Sequence, residues 1–281
     1  MTRSVSAAVS ELAEIRREAV KHRPKPPRDG LVLDVGGGQS PHPRADVTLD
    51  KYLVDNFERP GEADVDLSKP LVVADGQRIP FADGTFAYSV ALHVLEHATD
   101  PAAFAAELSR VSPAGFVQVP TRESELTFGW PYHAWYIDRQ DDCLVFSQRD
   151  ERRAPFGDLF HSSYARDTLL RLWWAAHRSR WHHSIEWTGR LQVRVEGQGE
   201  ADRSARLDVE RTVATLESLA ARGALKELPP VLRQALRCPL CRSKLVDEPG
   251  FLRCSACGNR FPLVGGVPVL VEEAAHASTG V

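Results

Sequence analysis

The feature that most constrains the fold is a short apolar run that ends in three consecutive glycines. Residues 31–35 read LVLDV, and Gly36, Gly37 and Gly38 follow directly. The run is too short for a helix, and glycines let the chain turn sharply because they have no Cβ and accept positive φ. Apolar strands without polar alternation are typical of parallel strands that are buried on both faces. We therefore expect a buried parallel sheet to begin here.

The same pattern recurs along the first 120 residues. Further runs with strand character occupy residues 47–50, 71–75, 86–92 and 116–120. Between the last two, residues 102–111 have helical spacing. Strands that alternate with helices predict the α/β class, with a doubly wound parallel sheet covered on both faces.

The remaining segments predict an additional helical segment at each side of this domain. Residues 5–22 and 166–181 have helical spacing, and residues 186–196 alternate like a strand. Residues 206–224 also have helical spacing, and a proline pair closes that segment. The predicted division is a helical segment 1–28, a main domain 29–205, a helical linker 206–235 and a small unit of its own at 236–272.

Composition and charge narrow the function classes. The 281 residues are 43% hydrophobic and 26% charged, which excludes a disordered or fibrous chain. A net charge of −3 gives no overall attraction to nucleic acids or anionic membranes. No run approaches the roughly 20 apolar residues that span a bilayer, and the first 30 residues lack the apolar centre of a secretory signal. We expect a cytoplasmic protein with no membrane partner.

Carboxylates accompany the first three predicted strands. Asp34 lies in the first strand, Asp50 ends the second, and Asp75 ends the third, followed by Gly76. Because open α/β sheets bind ligands at the carboxyl ends of their strands, we expect these groups to share one edge. A carboxylate can accept hydrogen bonds from both ribose hydroxyls of a nucleoside, and Asp75 or its neighbouring backbone can meet an adenine amino group. Taken alone, the glycine triplet could also form a tight turn that binds no ligand.

Together these segments resemble the class I S-adenosylmethionine-dependent methyltransferases of the small-molecule type. The resemblance covers residues 31–120 and rests on LDVGGG, ADGQRIPFADGTF, ALHVLEHATDPAAFAAELSRV and SPAGFVQVP, which occur in that family's order. It implies a Rossmann-like fold and S-adenosylmethionine as cofactor. The cofactor contacts it implies are Asp34, Gly36 and Gly38 for the methionine part, Asp50 for the ribose, Asp75 and Gly76 for the adenine, and Leu92 and His93 at the closing side of the pocket.

Some positions depart from that family's pattern. Ser40 stands at a common third glycine, Ala87 at a common aspartate, and Ala114 at the first glycine of a Pro-Gly-Gly turn. None removes an implied cofactor contact, but they leave open a domain that binds cofactor without turnover. A dinucleotide site is disfavoured, because the triplet is followed by QSPHP rather than by the spacing of Gly-x-Gly-x-x-Gly.

Two histidines are candidates for proton transfer. Methyl transfer needs an acceptor lone pair in line with the methyl group at about 3 Å, and a hydroxyl acceptor also needs a base. His93 follows the fourth strand, and His133 lies in the aromatic segment 129–136. A structural histidine is the alternative for each. Residues 93–97 also spell His-x-x-Glu-His, a metalloprotease pattern that requires a helix and a third ligand. The methyltransferase resemblance accounts for that segment.

Four cysteines predict a metal site near the end of the sequence. Cys238, Cys241, Cys254 and Cys257 have the spacing Cys-x2-Cys-x12-Cys-x2-Cys, which is typical of two knuckles around one tetrahedral ion. Four thiolates leave no open position, so the sequence predicts structural zinc. Rubredoxin-like iron and two disulfides are the alternatives. Cys143 is expected to be a lone buried thiol.

The segment 236–271, with its FPLVGGVPVL end, resembles the small zinc-binding activator subunits that partner tRNA and release-factor methyltransferases. That resemblance implies a non-catalytic zinc ribbon that stabilises the methyltransferase in cis. We expect methyl transfer to an oxygen or nitrogen of a small metabolite. Alternatives are RNA or a translation protein as acceptor, which the basic, aromatic segment 166–183 favours, and a cofactor-binding scaffold without activity.

Overall fold

The computed structural model describes residues 5–55, 64–149, 154–197 and 207–275. The helices are α1 (Val5–Lys21), α2 (Pro101–Val111), α3 (Arg122–Phe128), α4 (Gly157–Arg166), α5 (Thr168–Ala176), α6 (Arg178–Trp181), α7 (Val209–Ala221) and α8 (Pro230–Ala235). The strands are β1 (Val32–Val35), β2 (Val47–Asp50), β3 (Leu71–Ala74), β4 (Tyr88–Leu92), β5 (Ala114–Pro120), β6 (Trp135–Gln140), β7 (Cys143–Gln148), β8 (His182–Thr188), β9 (Gln192–Glu196), β10 (Leu245–Glu248), β11 (Phe251–Cys254), β12 (Arg260–Val264) and β13 (Val267–Leu270).

A large mixed sheet forms the centre of the molecule. Its ten strands have the order β10-β11-β12-β13-β3-β2-β1-β4-β5-β8. The five strands predicted from the first 120 residues pair in parallel, and β8 closes this end of the sheet antiparallel to β5. The chain order reverses between β1 and β4, which is the point where sheets of this class bind ligands. The predicted Rossmann-like α/β class is confirmed.

The inner strands are buried because their side chains are apolar on both faces. Val32, Leu33 and Val35 of β1 are all at most 1% exposed. Helix α2 begins at Pro101, where the Asp100 side chain caps it by accepting a hydrogen bond from an amide. It packs Phe104 against this core, and burial of such a side chain contributes about 1.5 to 3 kcal/mol. This packing fixes the strand ends that position the site.

Two predictions for the second half were wrong in detail. The strand predicted at 186–196 is two strands, because the chain turns after β8 at Gly189, whose φ is 76°. Strand β9 then pairs with β7 in a separate sheet of order β6-β7-β9. The helix predicted at 166–181 is two helices, because His177 ends α5 in a non-helical conformation before α6 begins. At its start, Asp167 ends α4 and caps α5 by accepting from the Leu169 and Leu170 amides. Capping and turn residues, rather than the apolar spacing, decide both boundaries.

The four-cysteine segment continues the central sheet. Strands β10 to β13 form an antiparallel meander, and β13 pairs in parallel with β3. The apolar core is also shared, since Leu252 and Phe261 pack in the same cluster as Phe81 and Phe86. Leu216 of α7 is fully buried, in a cluster with residues of β3 and β13. The division into domains at 28, 205 and 235 stays a prediction, and residue 205 lies outside the described residues.

Among the helices of the described ranges, none combines the length and the apolar character that crossing a membrane requires.

Candidate cofactor and metal sites

The three predicted carboxylates lie along neighbouring strands. Asp34 is in β1, Asp50 is the last residue of β2, and Asp75 directly follows β3. Strand β2 pairs with both other strands in parallel, so the three carboxyl ends point to the same edge of the sheet. The structure thus brings together residues that are separated in the sequence.

The glycine turn packs too closely for any side chain. Gly36 and Gly38 have φ values of 70° and 51°, and the Gly36 amide donates to the Leu49 carbonyl at 2.7 Å. A Cβ on Gly36 would lie 2.4 Å from Cγ2 of Val94, and one on Gly37 would lie 2.8 Å from Oδ2 of Asp34. Gly36, Gly37 and Gly38 are themselves half-buried, so part of their backbone stays accessible to a ligand at the sheet edge.

Asp34 is a buried carboxylate beside this turn. It is 3% exposed, and its Oδ2 accepts a hydrogen bond from the His42 amide at 2.6 Å. Burial raises the pKa of Asp34 to about 6, the negative charge of Asp50 adds to this, and the His42 amide opposes it. An acidic group in this position favours a cationic ligand such as an ammonium group. The residues present therefore fit the amino end of S-adenosylmethionine.

The other two carboxylates are also held in place. Oδ1 of Asp50 accepts from the Tyr52 amide at 2.9 Å, and Oδ1 of Asp75 accepts from the Gln77 amide at 2.8 Å. Lys51 forms an ion pair with Asp75 at 2.9 Å. Burial alone would raise the pKa of Asp75, but Lys51 and the amide hold it below its ordinary value. Sequence reasoning missed Lys51, although its place directly after Asp50 could have identified it.

His93 lies just beyond β4 in a strained conformation. Its φ is 55°, and its ring is held by Oε1 of Glu96 at 3.2 Å and Oε1 of Gln118 at 3.1 Å. Residues 95–97 form one short 3-10 turn rather than a longer α-helix. The metalloprotease pattern therefore lacks the helix that would place His93 and His97 on one face. Leu92, the last residue of β4, is half-buried beside this segment.

A second group of potential ligands includes His133. One donor atom each from Glu96, His97 and His133 lies within 4.8 Å of the others, and we call these three residues the histidine cluster. The rings of His97 and His133 meet edge to face, with centroids 4.7 Å apart. Sequence reasoning noted the HVLEH segment and His133 separately, but no local pattern joined them.

A buried pair of side chains, Glu125 and Arg149, contacts His133 at its Nδ1 atom. Nδ1 of His133 lies 2.5 Å from Oε1 of Glu125, and Oε2 of Glu125 accepts from Nη1 of Arg149 at 2.7 Å. Burial raises the pKa of Glu125 to about 8, although Arg149 opposes that shift. Burial also holds the pKa of His133 well below its ordinary value. Glu125 and Arg149 were missed because no motif contains them.

The four cysteines converge at the other end of the sheet. Their sulfurs lie within 4.8 Å of one another, with Cys238 3.8 Å from Cys257 and Cys241 3.3 Å from Cys254. Thiolates bound to one zinc ion at about 2.3 Å would be about 3.8 Å apart. All four are free thiols, with these pairs well beyond the roughly 2 Å of a disulfide bond. The residues present therefore fit one tetrahedral ion.

The backbone around these cysteines has knuckle geometry. Arg242 and Gly258 follow the second cysteine of each pair, with φ values of 60° and 74°. The side-chain amide of Asn259 donates to Sγ of Cys257 at 3.3 Å. Hydrogen bonds from Ser243 lower the pKa of Cys241 to about 6, which favours its thiolate form. Cys143 is a half-buried free thiol in β7.

Comparison with known proteins agrees with this geometry. Residues 34–118 match the sequence profile of a family described as "Methyltransferase domain". No curated protein matches the chain.

Several solved structures are similar at low identity. A putative methyltransferase from Bacillus halodurans has 18% identity over 39% of this chain and 52% of its own, with a TM-score of 0.27. The structure of a complex between the Haloferax volcanii Trm112 methyltransferase activator and a putative methyltransferase has 15% identity over 68% of this chain and 100% of the matched chain, with a TM-score of 0.36. A possible histamine N-methyltransferase from Thermotoga maritima has 12% identity over 64% and 84%, with a TM-score of 0.29.

The chain spans about half the length of the Bacillus halodurans structure. The match over 34–118 includes the glycine turn and the three carboxylates. Over these residues the chain is similar to a methyltransferase domain.

Proposed function

We propose that the chain transfers a methyl group from S-adenosylmethionine to an oxygen or nitrogen atom of a small metabolite. The observation that carries this proposal is the edge where Asp34, Asp50 and Asp75 meet beside the glycine turn. Such an edge offers anionic groups and exposed backbone to one cationic nucleoside. A small acceptor is favoured over a polyanion by the net charge of −3.

Each residue has a proposed part in holding the cofactor. Asp34, with the backbone of Gly36 and Gly38, receives the methionine end, because its buried carboxylate lacks a neighbouring cation in the contacts that set its pKa. Asp50 receives the ribose hydroxyls. Asp75 and Gly76 meet the adenine, and Leu92 closes the pocket. When bound, the cofactor supplies an electrophilic methyl group on a sulfonium.

His93 and His133 are the proposed groups on the acceptor side. The His93 side chain is 41% exposed and that of His133 is 8% exposed. His93 is therefore the better placed to meet an acceptor, with Glu96 and Gln118 orienting its ring. A base of this kind contributes typically 10²- to 10⁴-fold to a reaction that needs proton removal. An acceptor that is already ionised would leave His93 with an orienting role.

We further propose that the four cysteines hold structural zinc and that this zinc ribbon stabilises the methyltransferase domain in cis. Support comes from the pairing of β13 with β3 and from Arg242, whose guanidinium lies 2.7 Å from Glu107 of α2. Folding of the knuckles and of the central sheet is thereby linked, since both share one core.

One observation favours RNA or protein as an alternative acceptor. Helices α4 and α5 expose large apolar side chains, including Leu159 at 62%, Leu169 at 72% and Trp173 at 38%. Apolar surfaces of this kind often mark contacts with macromolecules. The predicted stacking surface is smaller than expected, however, because Trp181 is buried and stacks on Trp174 with centroids 3.8 Å apart.

The test uses methyl-labelled cofactor and cell extract that is separated into metabolites, RNA and protein. We expect label in the metabolite fraction. Label in RNA or protein would select the alternative, and cofactor binding without label in any fraction would indicate an inactive scaffold.

Calorimetry of cofactor binding tests the site itself. Asp50→Ala should weaken binding by about 1 to 3 kcal/mol, because hydrogen bonds to a charged group are lost. Asp142→Ala is the matched control, since the Asp142 side chain is 87% exposed and lies between β6 and β7 of the separate three-stranded sheet. Equal binding by wild type and Asp50→Ala would contradict the assignment.

A further inference from the structure

The histidine cluster contains a buried group that the cofactor site does not use. Glu96 is 0% exposed, and its Oε2 atom has no hydrogen-bond partner among the described residues. An unsatisfied buried oxygen costs about 1 to 3 kcal/mol, and more if it is charged. In folded proteins ordered water or an ion ordinarily satisfies such a group.

The neighbouring donors indicate the class of ligand. The two other members of the cluster are imidazoles, and all three donor atoms lie within 4.8 Å of one another. Bonds of about 2.1 Å to one ion would bring the donors to about 3.4 Å, so side-chain adjustments of roughly 1 Å would close the set. Imidazole nitrogen suits zinc, iron, cobalt or nickel rather than magnesium or calcium.

His133 is oriented as a ligand would be. Its Nδ1 is engaged with Glu125, whose other oxygen is held by Arg149. A carboxylate behind a metal-bound histidine fixes both its ring orientation and its tautomer. This arrangement leaves Nε2 of His133 as the nitrogen that can face Glu96 and His97.

We propose that Glu96, His97 and His133 bind one divalent transition-metal ion, separate from the ion at the four cysteines. The site lies beside the glycine turn, because Val94 packs against Gly36 and the Ala134 amide donates to the Glu96 carbonyl at 3.1 Å. Three protein ligands leave coordination positions open. An oxygen of the methyl acceptor is the natural occupant of such a position, a point that rests on the proposed function.

The experiment measures metal directly in the full chain. The four-cysteine site is first filled with zinc, which elemental analysis verifies. Cobalt(II) is then titrated and followed by calorimetry and visible absorption. We expect one further equivalent per chain, with bands of nitrogen and oxygen coordination and without thiolate charge-transfer bands.

Substitutions locate the ion. Glu96→Gln and His97→Gln should each weaken cobalt binding by at least about 100-fold, and Glu125→Gln by roughly 10- to 100-fold because it only positions His133. His177→Gln is the control, since His177 is an exposed histidine at the end of α5, outside the cluster, and its ring bonds to the Trp173 carbonyl.

Two results would overturn the proposal. One is a zinc-loaded wild-type chain that binds no further cobalt or zinc. The other is a folded His97→Gln chain that still binds the extra equivalent. His97 is only half-buried, so this variant should fold even if Glu96→Gln does not. Both readouts are independent of methyl transfer, so a failed activity assay leaves this test decisive.

Discussion

The four-cysteine cluster and the histidine cluster each bring donor atoms within 4.8 Å, but the chain assembles them differently. The cysteines come from two short knuckles, and two of the four are exposed. Glu96, His97 and His133 come from two loops, and a buried pair of charges, Glu125 and Arg149, stands behind them. We therefore expect the four-cysteine cluster to depend on the proposed ion for its stability, and the histidine cluster to be held by the protein around it.

The largest expected effect follows from disrupting the four-cysteine cluster. Cys254→Ser, or chelation, should lower the Tm of the whole chain by about 10 °C or more, because loss of roughly 4 kcal/mol shifts Tm by about 2 to 4 °C per kcal/mol in domains of this size. Scanning calorimetry measures it, and Cys143→Ser, outside the cluster, should leave Tm nearly unchanged. If only 236–272 loosens while the Tm of the central sheet and cofactor binding persist, the stabilising role in cis is wrong.

The stability of the histidine cluster should depend on the buried charges beside it rather than on a bound ion. Glu125→Leu removes the carboxylate partner of the buried Arg149 guanidinium, which also donates to the Trp130 and His133 carbonyls. Breaking a buried ion pair by removing one partner costs about 3 to 5 kcal/mol. Urea unfolding above the Glu125 pKa of about 8, where the pair is ionised, would measure this loss. Glu125→Gln retains hydrogen-bonding capacity and should lose clearly less. Equal losses in the two variants would show that the negative charge, which both variants remove, matters more than the hydrogen bonds that only glutamine retains.

A third buried acid sharpens the comparison, because Asp34 lacks the guanidinium that Glu125 has. Its pKa is raised to about 6, mainly by burial. The folded chain therefore holds this proton more tightly than the unfolded chain does. The stabilisation that this tighter proton binding gives the folded chain is fully present below about pH 4 and is lost as the pH rises through about 6.

Asp34→Asn removes this titration and can still accept the His42 amide. The variant should gain about 1.4 kcal/mol relative to wild type on going from pH 5 to pH 8 in the cofactor-free chain. Urea unfolding at the two pH values measures that difference. If the difference in unfolding free energy between Asp34→Asn and wild type is the same at both pH values, Asp34 does not titrate in the folded state.

These regions also show how far the sequence could predict the molecule. The strands around Asp34, Asp50 and Asp75 were predictable because apolar runs and their terminal residues are local signals, and the cysteine spacing is local too. The histidine cluster was not predictable, because only tertiary packing brings His133 next to Glu96 and His97. The turn at Gly189 was missed because the flanking residues alternate without interruption.

The smallest expected effect concerns the contact between the knuckles and α2. Arg242 has a φ of 60°, where Gly258 stands in the other knuckle, and its exposed guanidinium pairs with Glu107 at 2.7 Å. Arg242→Ala should cost up to about 1 kcal/mol, because it loses an ion pair in which the arginine is exposed and Glu107 is buried, and it keeps the unfavourable φ. Arg242→Gly should be about 1 kcal/mol more stable than Arg242→Ala, since glycine accepts this φ. Urea unfolding compares the two. If Arg242→Gly instead loses as much as Arg242→Ala, the docking contact outweighs the local backbone, and the first cluster resembles the second in depending on protein contacts across the core.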